Sequence, residues 1–111
     1  MLRNIQNIYF IGIGGVGMSA LAYWTKLNKF TIQGWDDDLD TPIIQSLIES
    51  GVIVHSKNTK NQFLIDIDLC NQRDTIIIYT PAISKDHEIF QYFKIQKFPL
   101  FKRADLLEFI S

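Results

Sequence analysis

Cys70 is the only cysteine among 111 residues, which excludes an internal disulfide and fits a reducing compartment. No apolar run approaches the roughly 20 residues of a membrane span, so no membrane partner is expected. The N-terminus lacks the charged start, apolar middle and small-residue cleavage site of a secretory signal, and a cytoplasmic location is the expectation. Neither sign of charge dominates: 11 Lys and Arg face 12 Asp and Glu, for a net charge of −1. The basic residues are scattered without stripe or arm, which argues against nucleic acid as a partner. Histidines number two, His55 and His87, and read as a strand-end residue and an exposed first-turn residue. Asp36, Asp37, Asp38 and Asp40 lack the glycine turn and terminal glutamate of a calcium loop, so no metal site is expected.

What remains is a soluble, globular composition, 47% hydrophobic and 21% charged, of ordinary single-domain size. Its centre is the run from Ile8 to Ala22, apolar at first, then broken by glycines, then resuming at helical spacing. Gly12, Gly14 and Gly17 form Gly-x-Gly-x-x-Gly between a strand and a helix, the order of a pyrophosphate-binding loop. Gly12 suits the tight turn, a side chain at Gly14 would stand where a phosphate approaches, and Gly17 allows close helix packing. Unpaired N–H groups at the helix start, with the positive end of its dipole behind them, make an anion site.

Strand and helix alternate along the rest. Asn4 to Ile11 reads as a strand, Val16 to about Asn28 as a helix with Leu21, Trp24 and Leu27 as its apolar stripe, and Phe30 to Trp35 as a strand. Thr41-Pro42 is a hydroxyl cap followed by proline at the first helical position. Ile43, Ile44, Leu47 and Ile48 supply that helix's buried face, and Gly51 ends it. Val52 to His55 and Thr75 to Tyr79 read as strands, with no definite element between Lys57 and Arg73. Asp86 is placed to cap a helix burying Ile89, Tyr92, Phe93 and Gln96; Pro99 to Phe101 reads as a strand, and Ala104 to Ile110 as a final helix. The pattern predicts a doubly wound, mostly parallel, Rossmann-like α/β sheet of about five strands with helices on both faces. Ligands then sit at the carboxyl ends of the strands, where Gly12 to Val16, Trp35 to Asp40 and Thr80 to Lys85 converge.

Asp36 lies 19 residues beyond Gly17, near the spacing of an acid that accepts hydrogen bonds from a ribose. Asp38 and Asp40 read as solvated loop residues. Trp35 reads equally well as a cover for a flat base or as a strand-end aromatic packed on a helix. Thr80-Pro81-Ala82 either faces the glycine loop or simply ends a strand. Lys102-Arg103 either neutralises a phosphate or pairs with Asp105.

Four blocks in order resemble the amino-terminal domain of the Mur ligases of peptidoglycan synthesis: Tyr9 to Ala22, Gly34-Trp35-Asp36, Ile78 to Ile83, and Lys102 to Leu107. The glycine loop followed by Met18-Ser19 is most like the branch that adds L-alanine to UDP-N-acetylmuramate. The chain departs from the family pattern at Trp35, where a small residue is frequent, and at Lys57-Asn58, where a Gly-His pair often follows the third strand. The resemblance implies an ATP-dependent amide-forming ligase in which this domain holds the UDP of UDP-N-acetylmuramate. It implies that Gly14, Gly15, Val16, Gly17 and Met18 cradle the pyrophosphate, that Asp36 meets the uridine, that Thr80, Pro81 and Ala82 line the cleft and that Arg103 helps close it; with Gly12 and Trp35 from the reading of the residues themselves, these form the expected nucleotide site, with no catalytic residue and no cofactor of its own. ATP and Mg2+ would be bound elsewhere in the parent protein, since no Gly-x-x-x-x-Gly-Lys-Ser/Thr loop occurs in the chain. Residues 1–111 are thus expected to be one domain of a longer ligase, whose remaining domains are its partners. On the glycines and Asp36 alone, an NAD-binding oxidoreductase domain or a nucleotide-sensing regulatory domain stays open.

Overall fold

A computed structural model describes residues 4 to 105. Five parallel strands, β1 (Asn7–Ile11), β2 (Thr31–Trp35), β3 (Ile53–His55), β4 (Thr75–Tyr79) and β5 (Leu100–Lys102), lie in the order β3-β2-β1-β4-β5. Four helices connect them: α1 (Met18–Leu27), α2 (Pro42–Glu49), α3 (Lys60–Asp68), which follows a 3-10 turn at Lys57–Thr59, and α4 (Glu88–Ile95). The doubly wound expectation is met.

The two-residue period of a strand divides the core. From β1, Ile8 and Phe10 join Ile76 and Ile78 of β4 against Met18, Leu21 and Ala22 of α1 and Ile44 and Leu47 of α2. Tyr9 and Ile11 turn the other way, with Trp35 and Ile77, onto Phe63 and Ile67 of α3 and Ile89, Phe90 and Phe93 of α4. A sheet covered on both faces requires strands apolar at successive positions, and β1 and β4 have them.

Three helical details differ from the sequence reading. α1 buries Met18, Leu21, Ala22 and Thr25, while Trp24 is 42% and Leu27 82% exposed. An i, i+3, i+6 stripe drifts off the contact face; adding the i+4 neighbour keeps it on. α2 begins as expected, the Thr41 hydroxyl accepting from the Ile44 N–H, yet only Ile44 and Leu47 are buried. The cap of α4 is His87, whose Nδ1 accepts from the Ile89 N–H at 3.1 Å, and Asp86 stays outside. That helix buries Phe90 where Tyr92 and Gln96 were expected. The helix expected over Ala104 to Ile110 lies mostly outside the described residues.

α3 is the element with no sequence forecast. Its apolar face is thin, Phe63 and Ile67 alone being buried, and aspartates stand at 66 and 68. Phe63 compensates by location, its ring meeting those of Tyr9, Trp35, His55, Tyr92 and Phe93 at centroid distances of 5.3 to 5.6 Å.

Candidate functional site

The chain runs β1 to β3 across one half of the sheet and then crosses to β4 on the far side of β1, so the switch point lies between β1 and β4. There the loop after β1 meets the loop after β4. The Thr80 N–H donates to the Ile11 carbonyl, and the Gly12 and Ile13 N–H groups donate to the Trp35 carbonyl at 2.8 and 3.1 Å. Gly12 has φ +81°, and a methyl group there would lie 2.6 Å from Thr80 Cγ2. Only glycine meets both demands.

A cavity of about 500 Å³ opens at this point. Its walls are Gly12, Gly15 and Val16 of the glycine loop, Trp35 at the end of β2 with Asp36 and Asp37 after it, Thr80 to Ile83 after β4, and Arg103 after β5. Nine of the twelve expected nucleotide-site residues meet here; Gly14, Gly17 and Met18 are absent from the walls. Met18 is a core residue, fully buried, with its N–H on the Gly15 carbonyl. Gly14 is closely packed by the protein itself. A methyl group on it would lie 2.9 Å from Ile44 Cδ1 and 3.0 Å from Asp36 Oδ2.

Asp36 ties the loops together: Oδ2 accepts from the Gly14 N–H at 2.9 Å and Oδ1 from the Asp38 N–H at 3.0 Å. Gly15 donates to the Gly12 carbonyl, which closes the turn. Among the described residues, the N–H groups of Val16, Gly17, Ser19 and Ala20 have no protein partner. Gly17 caps α1 at φ +78° without a side-chain acceptor. The Arg103 guanidinium donates to the Val16 carbonyl, which places a cation over this loop, while Asp105 accepts from the Lys102 N–H. The arrangement is four free amide donors and a helix dipole at the start of α1, where Val16 and the Arg103 guanidinium line the cavity, and it suits an anion of diphosphate size.

Trp35 follows the packing alternative: its indole is 1% exposed, edge-on to Phe63, and its N–H donates to Asp37 Oδ1 at 2.9 Å. His87 reaches Asp37 from the other side, Nε2 lying 3.3 Å from Oδ2. Partial burial pushes Asp37 up, but the indole N–H and His87 outweigh it and hold the carboxyl below its ordinary value. A second recess of about 330 Å³ adjoins, formed by Trp35, Asp37, Lys57, His87 and Glu88. The sequence reading takes His87 as an exposed first-turn residue, whereas its side chain is 16% exposed and caps α4, and it assigns no role to Asp37, although Asp37 stands two residues beyond Trp35 in a loop rich in carboxylate-to-backbone bonds.

His55 likewise has partners that the sequence hid. It is buried, with Nδ1 3.0 Å from the Tyr9 hydroxyl and Nε2 2.8 Å from Asp66 Oδ2. The hydrogen bond to His55 holds the Asp66 carboxyl below its ordinary value, and burial raises the Tyr9 phenol well above its own. The three groups anchor α3 to β1 and β3, away from the cavity walls.

The family model described as "Mur ligase family, catalytic domain" matches residues 7–111. The chain belongs to the Mur ligase family. It is 36% identical over 110 residues to UDP-N-acetylmuramate–L-alanine ligase of Christiangramia forsetii and 41% over 112 residues to the ligase so named of Flavobacterium psychrophilum. Each match covers 99% of this chain and 24% of the relative, so the chain spans about a quarter of the length of these curated Mur ligases. In fold it is similar to the crystal structure of UDP-N-acetylmuramate-alanine ligase MurC from Thermotoga maritima. That likeness has a TM-score of 0.70 and 24% identity, over 91% of this chain and 21% of the other.

Proposed function

We propose that this Mur ligase domain binds the UDP portion of UDP-N-acetylmuramate for an ATP-dependent ligase that joins L-alanine to it in peptidoglycan synthesis. The observation that carries the reading is the set of N–H groups at Val16, Gly17, Ser19 and Ala20, unpartnered among the described residues at the start of α1, where Val16 and Arg103 line the cavity at the switch point. The names of the relatives point to the same ligand. In this reading those amides and Arg103 grip the diphosphate, while Thr80, Pro81 and Ala82 line the cleft, and Gly14 with Asp36 holds the loop in shape. Met18 supports from the core, and Trp35 supports from below through Asp37.

ATP and Mg2+ do not fit the residues present. The 111 residues contain no Gly-x-x-x-x-Gly-Lys-Ser/Thr sequence, and no three His, Cys, Asp or Glu side chains are grouped to hold a metal among the described residues. Acyl-phosphate formation and amide closure therefore belong to other parts of the parent protein, and this domain contributes binding. No helix among the described residues is long and apolar enough to cross a membrane, and a cytoplasmic setting accords with a nucleotide-linked ligand. Calorimetric titration with UDP, UDP-N-acetylmuramate and NAD tests the reading. The uridine ligands should bind in preference; tighter binding of NAD would overturn it.

A further inference from the structure

We propose that Ile13, seated on the bare backbone of Gly34, is the positioning residue that sets the height of the glycine loop over β2 and so aims the amides that hold the diphosphate. The proposal rests on the UDP-binding reading above. Gly34 is buried inside β2, between Phe10 of β1 and Val54 of β3. Among the described glycines, positive φ is confined to Gly12, Gly17 and Gly51, so the backbone at Gly34 makes no demand for glycine. Packing does. A methyl group on Gly34 would lie 2.7 Å from Ile13 Cδ1, 2.8 Å from Ile13 Cβ and 3.0 Å from the Phe10 carbonyl oxygen. A glycine inside a strand marks such a close approach. Ile13 itself is fully buried, in the core cluster that includes Met18 and Leu21 of α1 and Ile44 of α2.

The end of β2 takes up the loop residue by residue. Gly34 gives room to the Ile13 side chain, the Trp35 carbonyl accepts from the Gly12 and Ile13 N–H groups, and Asp36 Oδ2 accepts from the Gly14 N–H. The turn builds on these residues, the Gly15 N–H donating to the Gly12 carbonyl and the Met18 N–H to the Gly15 carbonyl. A displacement of Ile13 therefore passes to the start of α1. Of the atoms that a Gly34 methyl would meet, Cδ1 can swing aside, but Cβ is bonded to the loop backbone and the Phe10 oxygen belongs to the neighbouring strand. Opening 2.8 Å to an ordinary contact of 3.4 Å asks the loop to rise by about 0.6 Å, past the roughly 0.5 Å within which binding groups must be held.

The test is calorimetric titration with UDP, together with amide NMR of the ligand-free chain, for wild type, Gly34→Ala, Ile13→Ala, their double variant and Ile67→Ala. Gly34→Ala should bind UDP about 10- to 100-fold more weakly, the scale of one hydrogen bond to a charged group, with the Val16 and Gly17 signals displaced before ligand is added. Ile13→Ala unseats the loop without a clash; it should weaken UDP in the same range, and it carries the test if Gly34→Ala does not fold. Because both changes break one seat, the double variant should bind no more weakly than the worse single variant. Ile67→Ala, a core truncation on the opposite face of the sheet, should lower Tm and keep wild-type UDP affinity. Wild-type UDP affinity in folded Gly34→Ala or Ile13→Ala, additive losses in the double variant, or an equal loss in Ile67→Ala would overturn the assignment. A wild type that fails to bind UDP would refute the proposed function; the ligand-free spectra then decide the seat alone, and Val16 and Gly17 signals unmoved in Gly34→Ala would overturn it.

Discussion

Replacing Gly17 by alanine probes the helix mouth on which ligand binding is argued to depend. Gly17 caps α1 at φ +78° and ψ −16°, in the left-handed region. A Cβ there costs about 1–2 kcal/mol from the backbone alone. The added methyl would also land on the Arg103 guanidinium, forcing it off the Val16 carbonyl at about 0.5–1.5 kcal/mol for one modest hydrogen bond. The sum is about 2.5 kcal/mol. With an unfolding entropy of about 0.23 kcal/mol/K for 111 residues, that lowers Tm by about 10 °C and leaves the chain folded at 25 °C. Thermal and urea unfolding of Gly17→Ala, Arg103→Ala and the double variant separate the two contributions. In the Arg103→Ala background the glycine substitution should cost only the backbone share, about 1–2 kcal/mol. UDP affinity should fall in both single variants. A Gly17→Ala protein with wild-type Tm and wild-type UDP affinity would refute the left-handed cap and its role.

Other expectations follow from the packing and the charges. Phe63→Ala should lose about 3–5 kcal/mol in urea unfolding, because it empties the place where α3 meets the sheet; a loss under about 1 kcal/mol would mean that α3 is held by something else. Asp66 titrates with its carboxyl held low by His55, so the folded chain takes up this proton less readily than the unfolded one. Its stabilisation is whole above about pH 5 and disappears as pH falls through the lowered pKa. Asp66→Asn should therefore be less stable than wild type at neutral pH, with the gap closing in acid. A gap that is constant with pH would contradict the pairing. Asp36→Ala should lower stability by about 1–3 kcal/mol, the scale of leaving the Gly14 N–H unpaired, and weaken UDP through loop disorder; unchanged stability would remove its tethering role.

Much of the fold was legible because its signals were local. β4 runs from Thr75 to Tyr79 as read, since β-branched and aromatic residues at five successive positions suit a strand buried on both sides. Thr41-Pro42 announced α2 by cap chemistry alone. α3 escaped notice because its two anchors, Phe63 and Ile67, owe their burial to rings from β1, β2 and α4 that are remote in sequence. The cap of α4 was displaced by one residue, since an imidazole nitrogen took the role for which an aspartate was expected. At the site, the convergence of three loops followed from strand order, which alternation predicts. The division of labour between Asp36 and Asp37 did not. Which of two adjacent carboxylates meets a backbone N–H depends on angstrom-scale loop geometry, and the His87 partner comes from 50 residues away.

Amide chemical shifts of the isotope-labelled chain, followed by NMR as UDP is added, test the central claim most directly. The account predicts the largest movements at the N–H signals of Val16, Gly17, Ser19 and Ala20, with the already bonded Gly12 and Ile13 signals moving less. Saturating UDP that leaves those four signals in place while others shift would contradict it.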